Sequence, residues 1–196
     1  MNRLVLLLIV GVASVVAAAY WSNKQIWDAH AATELAIRAG KISHHSPDES
    51  VLLIEQALDL DPRNAAIWYD ASGIYGLKAM HVFVRGEQHH YLWLEKAIIA
   101  AETANALSDD WFYVRDHADT LLFAYMYEYQ DADLSKALSL YKSIALTGND
   151  GVDDNLKTRV KAVERILADR KEFFDEAPVR PSDYDVADRW VSDDLQ

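Results

Sequence analysis

The sequence predicts an all-α chain, built of antiparallel helix pairs behind a single transmembrane helix. Three observations carry this expectation. Residues 4–19, LVLLLIVGVASVVAAA, contain no charge and no strongly polar residue except Ser14. Beyond them no Val/Ile/Thr alternation of useful length and no Asn-Gly hairpin turn occurs, so strand signals are missing. Helix signals recur instead, with apolar and small residues three and four apart, ended by Asp-Pro or Gly.

The bulk numbers narrow the function. A chain of 196 residues with 51% hydrophobic content suffices for one packed domain and an appendage. It has no Cys, which excludes thiol catalysis, disulfides and thiolate metal sites. A net charge of -12 argues against nucleic acid, whose phosphates need a Lys/Arg surface. It argues equally against a polybasic membrane patch. The negative charge is densest after Phe174.

The apolar run has two readings. As a cleaved signal peptide it has a basic start at Arg3, an apolar core and a small-x-small site at Ala17-Ala18-Ala19. As an anchor it extends through Trp21, at the lower edge of what spans a bilayer. Tyr20 and Trp21 then sit in the interface, and Lys24 reaches the headgroups. We favour the anchor, with a division into residues 1–24 (anchor), 25–174 (helical domain) and 175–196 (acidic tail). The amino terminus and Arg3 outweigh Lys24, which sets the amino terminus inside. The expected location is a bacterial inner membrane, single-pass, with the domain facing the periplasm. Signal cleavage would instead release a periplasmic or secreted protein.

No breaker separates the apolar run from the next segment. NKQIWDAHAATELAIRAG continues as a helix, with Ile26, His30, Thr33 and Ile37 on one stripe and Gly40 as a C-terminal cap. SPDE at 46–49 is a capping box with Pro at the first helical position. The helix after it buries Val51, Ile54, Ala57 and Leu58 and stops at Asp61-Pro62. The next begins near Asn64 with Trp68, Ala71, Ser72 and Tyr75 on one face. Large rings at each end with small residues between them leave a hollow for a neighbouring helix.

Three more helices obey the same logic. Residues 91–110 are rich in Ala, and 111–129 carry Val114, Ala118, Leu121, Tyr125 and Tyr129 on one stripe. Residues 133–148 carry Leu134, Ala137, Leu138, Tyr141 and Ile144 before Gly148. A last helix, about 156–174, places Val160, Val163, Leu167 and Phe174 inward and closes the stack.

ALDLDPRNAAIWYDASGIY, residues 57–75, resembles the tetratricopeptide repeat family, a 34-residue helix-turn-helix with Trp, Leu-Gly, Tyr, Ala, aromatic, Ala and Pro at set spacing. Ala57 and Pro62 match the end of one repeat, and Trp68, Ala71, Ser72 and Tyr75 the start of the next. Ala137 and Tyr141 match the second-helix Ala and aromatic. Ala71-Ser72 replaces the family's Leu-Gly, and Ala57 stands 47 positions from its counterpart Ala104. The extra residues fall in LKAMHVFVRGEQHHY, and Asn149 takes the place of the third Pro. The resemblance implies a short right-handed superhelix whose concave groove holds a peptide or partner protein.

Catalytic and metal signals are weak. The doublets His44-His45 and His89-His90 lie in expected loops, and adjacent side chains diverge rather than converge on an ion. Solvated loop polarity accounts for them better. SLYK, 139–142, fits the Ser-x-x-Lys pattern of some acyl enzymes, but has no companion motif and reads as chance. His-Glu-x-x-His, Gly-x-Ser-x-Gly, phosphate-loop and Rossmann patterns are all missing. No enzyme activity, metal or cofactor is therefore expected.

The expected function is a membrane-anchored adaptor or assembly factor for a protein or peptide partner. Tyr69, Lys78, Arg115, Tyr125 and Tyr129 are the groove candidates, because aromatics and cations anchor interfaces. The tail carries seven acidic residues against two Arg and is too polar to fold alone. Within it Tyr184, Ala187, Trp190 and Val191 could form a docking stripe, with Trp190 as its anchor. One alternative is a permanent subunit of a large membrane complex, its anchor packed through Gly11, Ala13, Ser14 and Ala17–Ala19. Another is a helical hydrolase or metal-binding protein using the His doublets.

Overall fold

A computed structural model describes residues 3–87, 89–108, 110–128, 131–146 and 154–176. Side chains are described for all of these except 3–13, 15, 128, 131–133, 146, 154–155 and 170–176. Among the described residues the elements are all helices: α1 (Arg3–Ile42), α2 (Pro47–Leu60), α3 (Ala65–Val84), α4 (His90–Leu107), α5 (Trp111–Glu128), α6 (Asp131–Leu146) and α7 (Asp154–Glu176). The all-α expectation holds. The chain divides into two compact units, Met1–Trp93 and Leu94–Gln196, the division falling inside α4.

In the first unit α1 packs on α2, α2 on α3, and α3 also reaches α1. The stripe that α1 buries is not Ile26, His30, Thr33 and Ile37. Ile26 and Ile37 are 67% and 53% exposed, and the buried residues are Ala32, Ala36 and Ala39. Apolar size misled the pattern: alanines permit close approach, and a helix packs where its backbone can come nearest its neighbour. The Ser50 hydroxyl donates to the Ala39 carbonyl at 2.8 Å across that contact. Gly40 is not a cap either. α1 runs on to Ile42, and Ser43 closes it by donating from Oγ to the Gly40 carbonyl at 2.9 Å.

α2 starts with Pro47 and has Asp48 and Glu49 in its first turn, where the helix dipole favours carboxylates. The expected capping box is incomplete, because the Ser46 side chain makes no cap hydrogen bond. The stop at Asp61-Pro62 is as expected. Asn64 then caps α3, its Oδ1 accepting from the Ala66 N–H at 3.1 Å while its Nδ2 donates to Asp61 at 3.2 Å. Trp68 Nε1 donates to the Pro62 carbonyl at 2.8 Å. The ring therefore locks the turn that precedes its own helix. Ala57, Ala71, Ser72 and Tyr75 are all buried. At its far end α3 stops on Gly86 (φ 72), whose N–H bonds Phe83 while that of Glu87 bonds Val82, the left-handed stop that suits glycine.

In the second unit α5 packs on α6, and α6 on α7. The core joins Ala118, Leu121 and Tyr125 of α5, Leu134, Ala137, Tyr141 and Ile144 of α6, and Leu156 and Val163 of α7. These are the stripes read from sequence, with Val160 and Leu167 packed beside them. Tyr129, Phe174 and the tail residues Tyr184, Ala187, Trp190 and Val191 lie outside the described side chains. α5 begins on Asp110, whose Oδ1 accepts from the Phe112 N–H at 3.0 Å.

The anchor run falls mostly outside the described side chains; within residues 4–21 only Ser14 and 16–21 are described, and all of these are exposed. Among the described residues no helix is long and apolar enough to cross a membrane.

Candidate functional site

The outward side of α3 is the surface of interest in the first unit. Its inward side buries Ile67, Ala71, Ser72, Ile74, Tyr75, Lys78, Ala79 and Val82. At about 100° per residue the opposite side carries Ala66, Gly73, Leu77 and Val84, with Tyr69 and Asp70 on its flanks. Asp70 and Lys78 are the sole carboxylate and ammonium groups of the twenty-residue helix. Because Lys78 turns inward, Asp70 is the one formal charge on the outer side. That leaves a single formal charge on this face of a chain whose net charge is -12.

Two details sharpen the picture. Gly73 is exposed, and a methyl group built there would meet nothing within 4 Å. The fold thus has no steric need for glycine there, although glycine costs a helix about 1 kcal/mol relative to alanine. Beside it Asp70 is half-buried, and burial alone raises its carboxyl above the usual range. A donor brought by another molecule would find this carboxylate partly stripped of water.

Lys78 corrects one expectation. It is 8% exposed, and its Nζ sits 2.6 Å from Asp48 Oδ1 and 5.8 Å from the centre of the Trp93 ring. It ties α3 to the start of α2 rather than facing a groove. The hydrogen bond from Lys78 holds the Asp48 carboxyl below the usual range. Tyr75, buried and facing Glu55, has its hydroxyl pushed up to about 12, chiefly by burial.

The second unit holds a polar knot around Asp119. Its Oδ1 accepts from the Tyr141 hydroxyl at 2.5 Å and from Arg159 Nη1, and its Oδ2 lies 3.7 Å from Arg115 Nε. One carboxylate thereby joins α5, α6 and α7. Burial, then the bond to Asp119, raise the Tyr141 hydroxyl far above its ordinary value. Arg115, expected to meet a partner, is half-buried and turned toward Asp119. Tyr125 is buried at 5% exposure and belongs to the core, not to a groove. Tyr69 is half-buried on α3, while Tyr129 and Trp190 lie outside the described residues.

His117 is the other feature the sequence did not disclose. It is 2% exposed, and neither ring nitrogen has a hydrogen-bond partner among the described residues. Burial, helped by Lys136 and opposed by Glu102, lowers its pKa to about 4. Lys136 and Glu102 themselves pair at 2.8 Å between α6 and α4. The imidazole is therefore neutral and sealed.

The remaining histidines do not converge. His44 and His45 are exposed, and His89 and His90 lean on Glu87 through its carboxylate and carbonyl at 3.2 and 3.3 Å. Among the described residues no group of three or more His, Asp or Glu is placed to hold a metal ion. No family model, curated protein or solved structure matches the chain.

Proposed function

We propose that this chain is a membrane-anchored adaptor or assembly factor of tetratricopeptide-like architecture, acting by holding a partner protein and without chemistry of its own. The observation that carries the reading is the outer side of α3: a helix face with one formal charge, on which Ala66, Gly73 and Val84 are exposed and Tyr69, Asp70 and Leu77 half-buried, with a dispensable glycine beside the carboxyl. Glycine lets a partner's main chain approach closely. Asp70 then accepts a hydrogen bond or ion pair from the partner's donor. The repeat-like architecture is supported by α3 packing on both α2 and α1 and by the Trp68–Pro62 bond at the turn. The apolar run 4–21 supplies the anchor, on the sequence grounds of length and interfacial aromatics.

The test is retention of partners by the full-length chain, isolated from its membrane in mild detergent. Gly73→Arg and Asp70→Asn are compared with the unaltered chain and with Gln56→Arg, an exposed change on α2. Partners lost with both α3 variants and kept with Gln56→Arg support the reading. A partner set indifferent to all three excludes this face as the binding element.

A further inference from the structure

The end of the chain divides sharply by charge. Residues 157–171 hold six Lys and Arg against two acids, the most basic stretch of that length in the sequence, and residues 177–196 hold five Asp against two Arg. The structure sorts the cations of α7 by direction. Arg159 turns inward to Asp119. Lys157, Lys161 and Arg165 are exposed and stand four residues apart. At about 100° per residue, Lys161 and Arg165 lie opposite Leu156 and Val163, which are buried. Glu164, at the edge of this side, is paired with Lys142 of α6 at 2.7 Å. Cations four apart on a helix repel one another, so the outer side of α7 carries a ridge that a counter-charge would stabilise. Ala162 and Ala168 beside it are exposed as well.

We infer that this ridge is the docking surface of the chain's own tail, residues 177–196, folded back along α7. Charge chooses the surface. Residues 1–156 hold 21 acids against 11 Lys and Arg, so an acidic tail is repelled by most of the chain and drawn to α7. Reach permits the contact in any conformation. α7 ends at Glu176, about 17 Å beyond Arg165 and about 28 Å beyond Lys157 along the helix axis. The tail's twenty residues span about 30 Å as a helix and about 66 Å when extended. Pro178 and Pro181 oppose a continuation of α7 and favour a change of direction. The tail brings more than charge. Tyr184 and Trp190 carry rings, which attract ammonium and guanidinium groups, and the two exposed alanines leave room for them. Single exposed ion pairs are weak; the tether compensates by holding the tail at high effective concentration. The contact needs neither an anchor nor a partner. It makes the tail a built-in competitor for any acidic segment that would otherwise settle on α7.

The chain has no native Cys, so spin labels can be placed in pairs on the full-length protein in mild detergent. Ala162→Cys with Ser192→Cys reads the tail against α7. Ala162→Cys with Ser139→Cys, an exposed position of α6, reports that the unit is intact. Expected at low salt is one narrow distance for the first pair, unchanged when labelled chain is diluted with unlabelled chain. It should broaden severalfold in about 1 M salt, where the screening length falls to about 3 Å, and equally with Lys161→Glu plus Arg165→Glu. Adding Asp183→Lys, Asp185→Lys and Asp188→Lys to that double variant should narrow it again, the second distance staying fixed throughout. A broad distribution at low salt overturns the inference. So does a narrow distance indifferent to charge reversal, because charge is then not what holds the tail. A narrow distance that vanishes on dilution puts the tail on a second copy and overturns it too.

Discussion

The Ser50 hydroxyl donates a 2.8 Å hydrogen bond to the Ala39 carbonyl, from one helix to the backbone of the next. Such a bond requires α1 and α2 to lie nearly backbone to backbone, which alanines at positions 32, 36 and 39 allow. Ser50→Ala keeps the approach and loses one buried hydrogen bond, for an expected cost of about 1 kcal/mol. Ala39→Leu inserts volume where there is none, for an expected cost of about 1–3 kcal/mol. Denaturant titration followed by circular dichroism ranks the two. If Ala39→Leu proves as mild as Ser50→Ala, the contact is looser than described.

Asp119 is expected to be the most sensitive polar position of the second unit. Asp119→Ala leaves the fully buried Tyr141 hydroxyl without its acceptor and separates Arg159 from its partner. The arginines are about one-third exposed, so screening limits their share, and a total of about 2–3 kcal/mol is expected. Tyr141→Phe in the same background should recover part of it. A double-mutant cycle that finds the two changes strictly additive would remove the knot from the stability of this unit.

His117 predicts acid sensitivity with a definite sign. Its folded pKa of about 4 lies below the ordinary 6.5. The unfolded chain therefore takes up this proton at a higher pH than the folded chain does. Stability is whole above 6.5, falls as the pH drops from 6.5 toward 4, and levels off below that, for a loss of roughly 3 kcal/mol. His117→Leu should abolish that part of the slope, and also stabilise the chain at neutral pH, because an unsatisfied buried imidazole is removed. Unfolding free energies of both proteins between pH 7 and 4 check this, and parallel curves would count against it.

Gly73→Ala is expected to raise stability by about 0.5–1 kcal/mol, since an added methyl meets open space and alanine favours the helix. The same change should weaken partner retention. A melting temperature that falls would mean the site is more crowded than it looks.

Helix positions were largely legible because they depend on local rules. The Asp61-Pro62 stop, the restart at Asn64 and the stripes of α5 and α6 all follow from chain stiffness and periodicity. The errors share a cause. On α1 the large apolar residues stand out, yet the alanines pack, because helix approach is decided by the smallest side chains. Residue type marks Lys78 and Tyr125 as surface anchors, although type says nothing of which way a side chain turns. Asp119 and His117 were invisible because their surroundings assemble from α4, α5, α6 and α7, far apart in sequence. Asp70 and Gly73 did leave a trace: a twenty-residue helix with two formal charges, one of them turned inward, keeps a single charge on its outer side.

α1 runs without a break from Arg3 to Ile42, and that continuity makes it an axle. With no hinge between its first turn and its last, it transmits rotation as well as position. Inserting one residue ahead of the packed segment would swing its amino-terminal part by about 100° and displace it by about 1.5 Å. Inserting seven would return nearly the same facing about 10 Å farther out. Whatever grips the early turns of α1 therefore sets the direction in which the first unit looks.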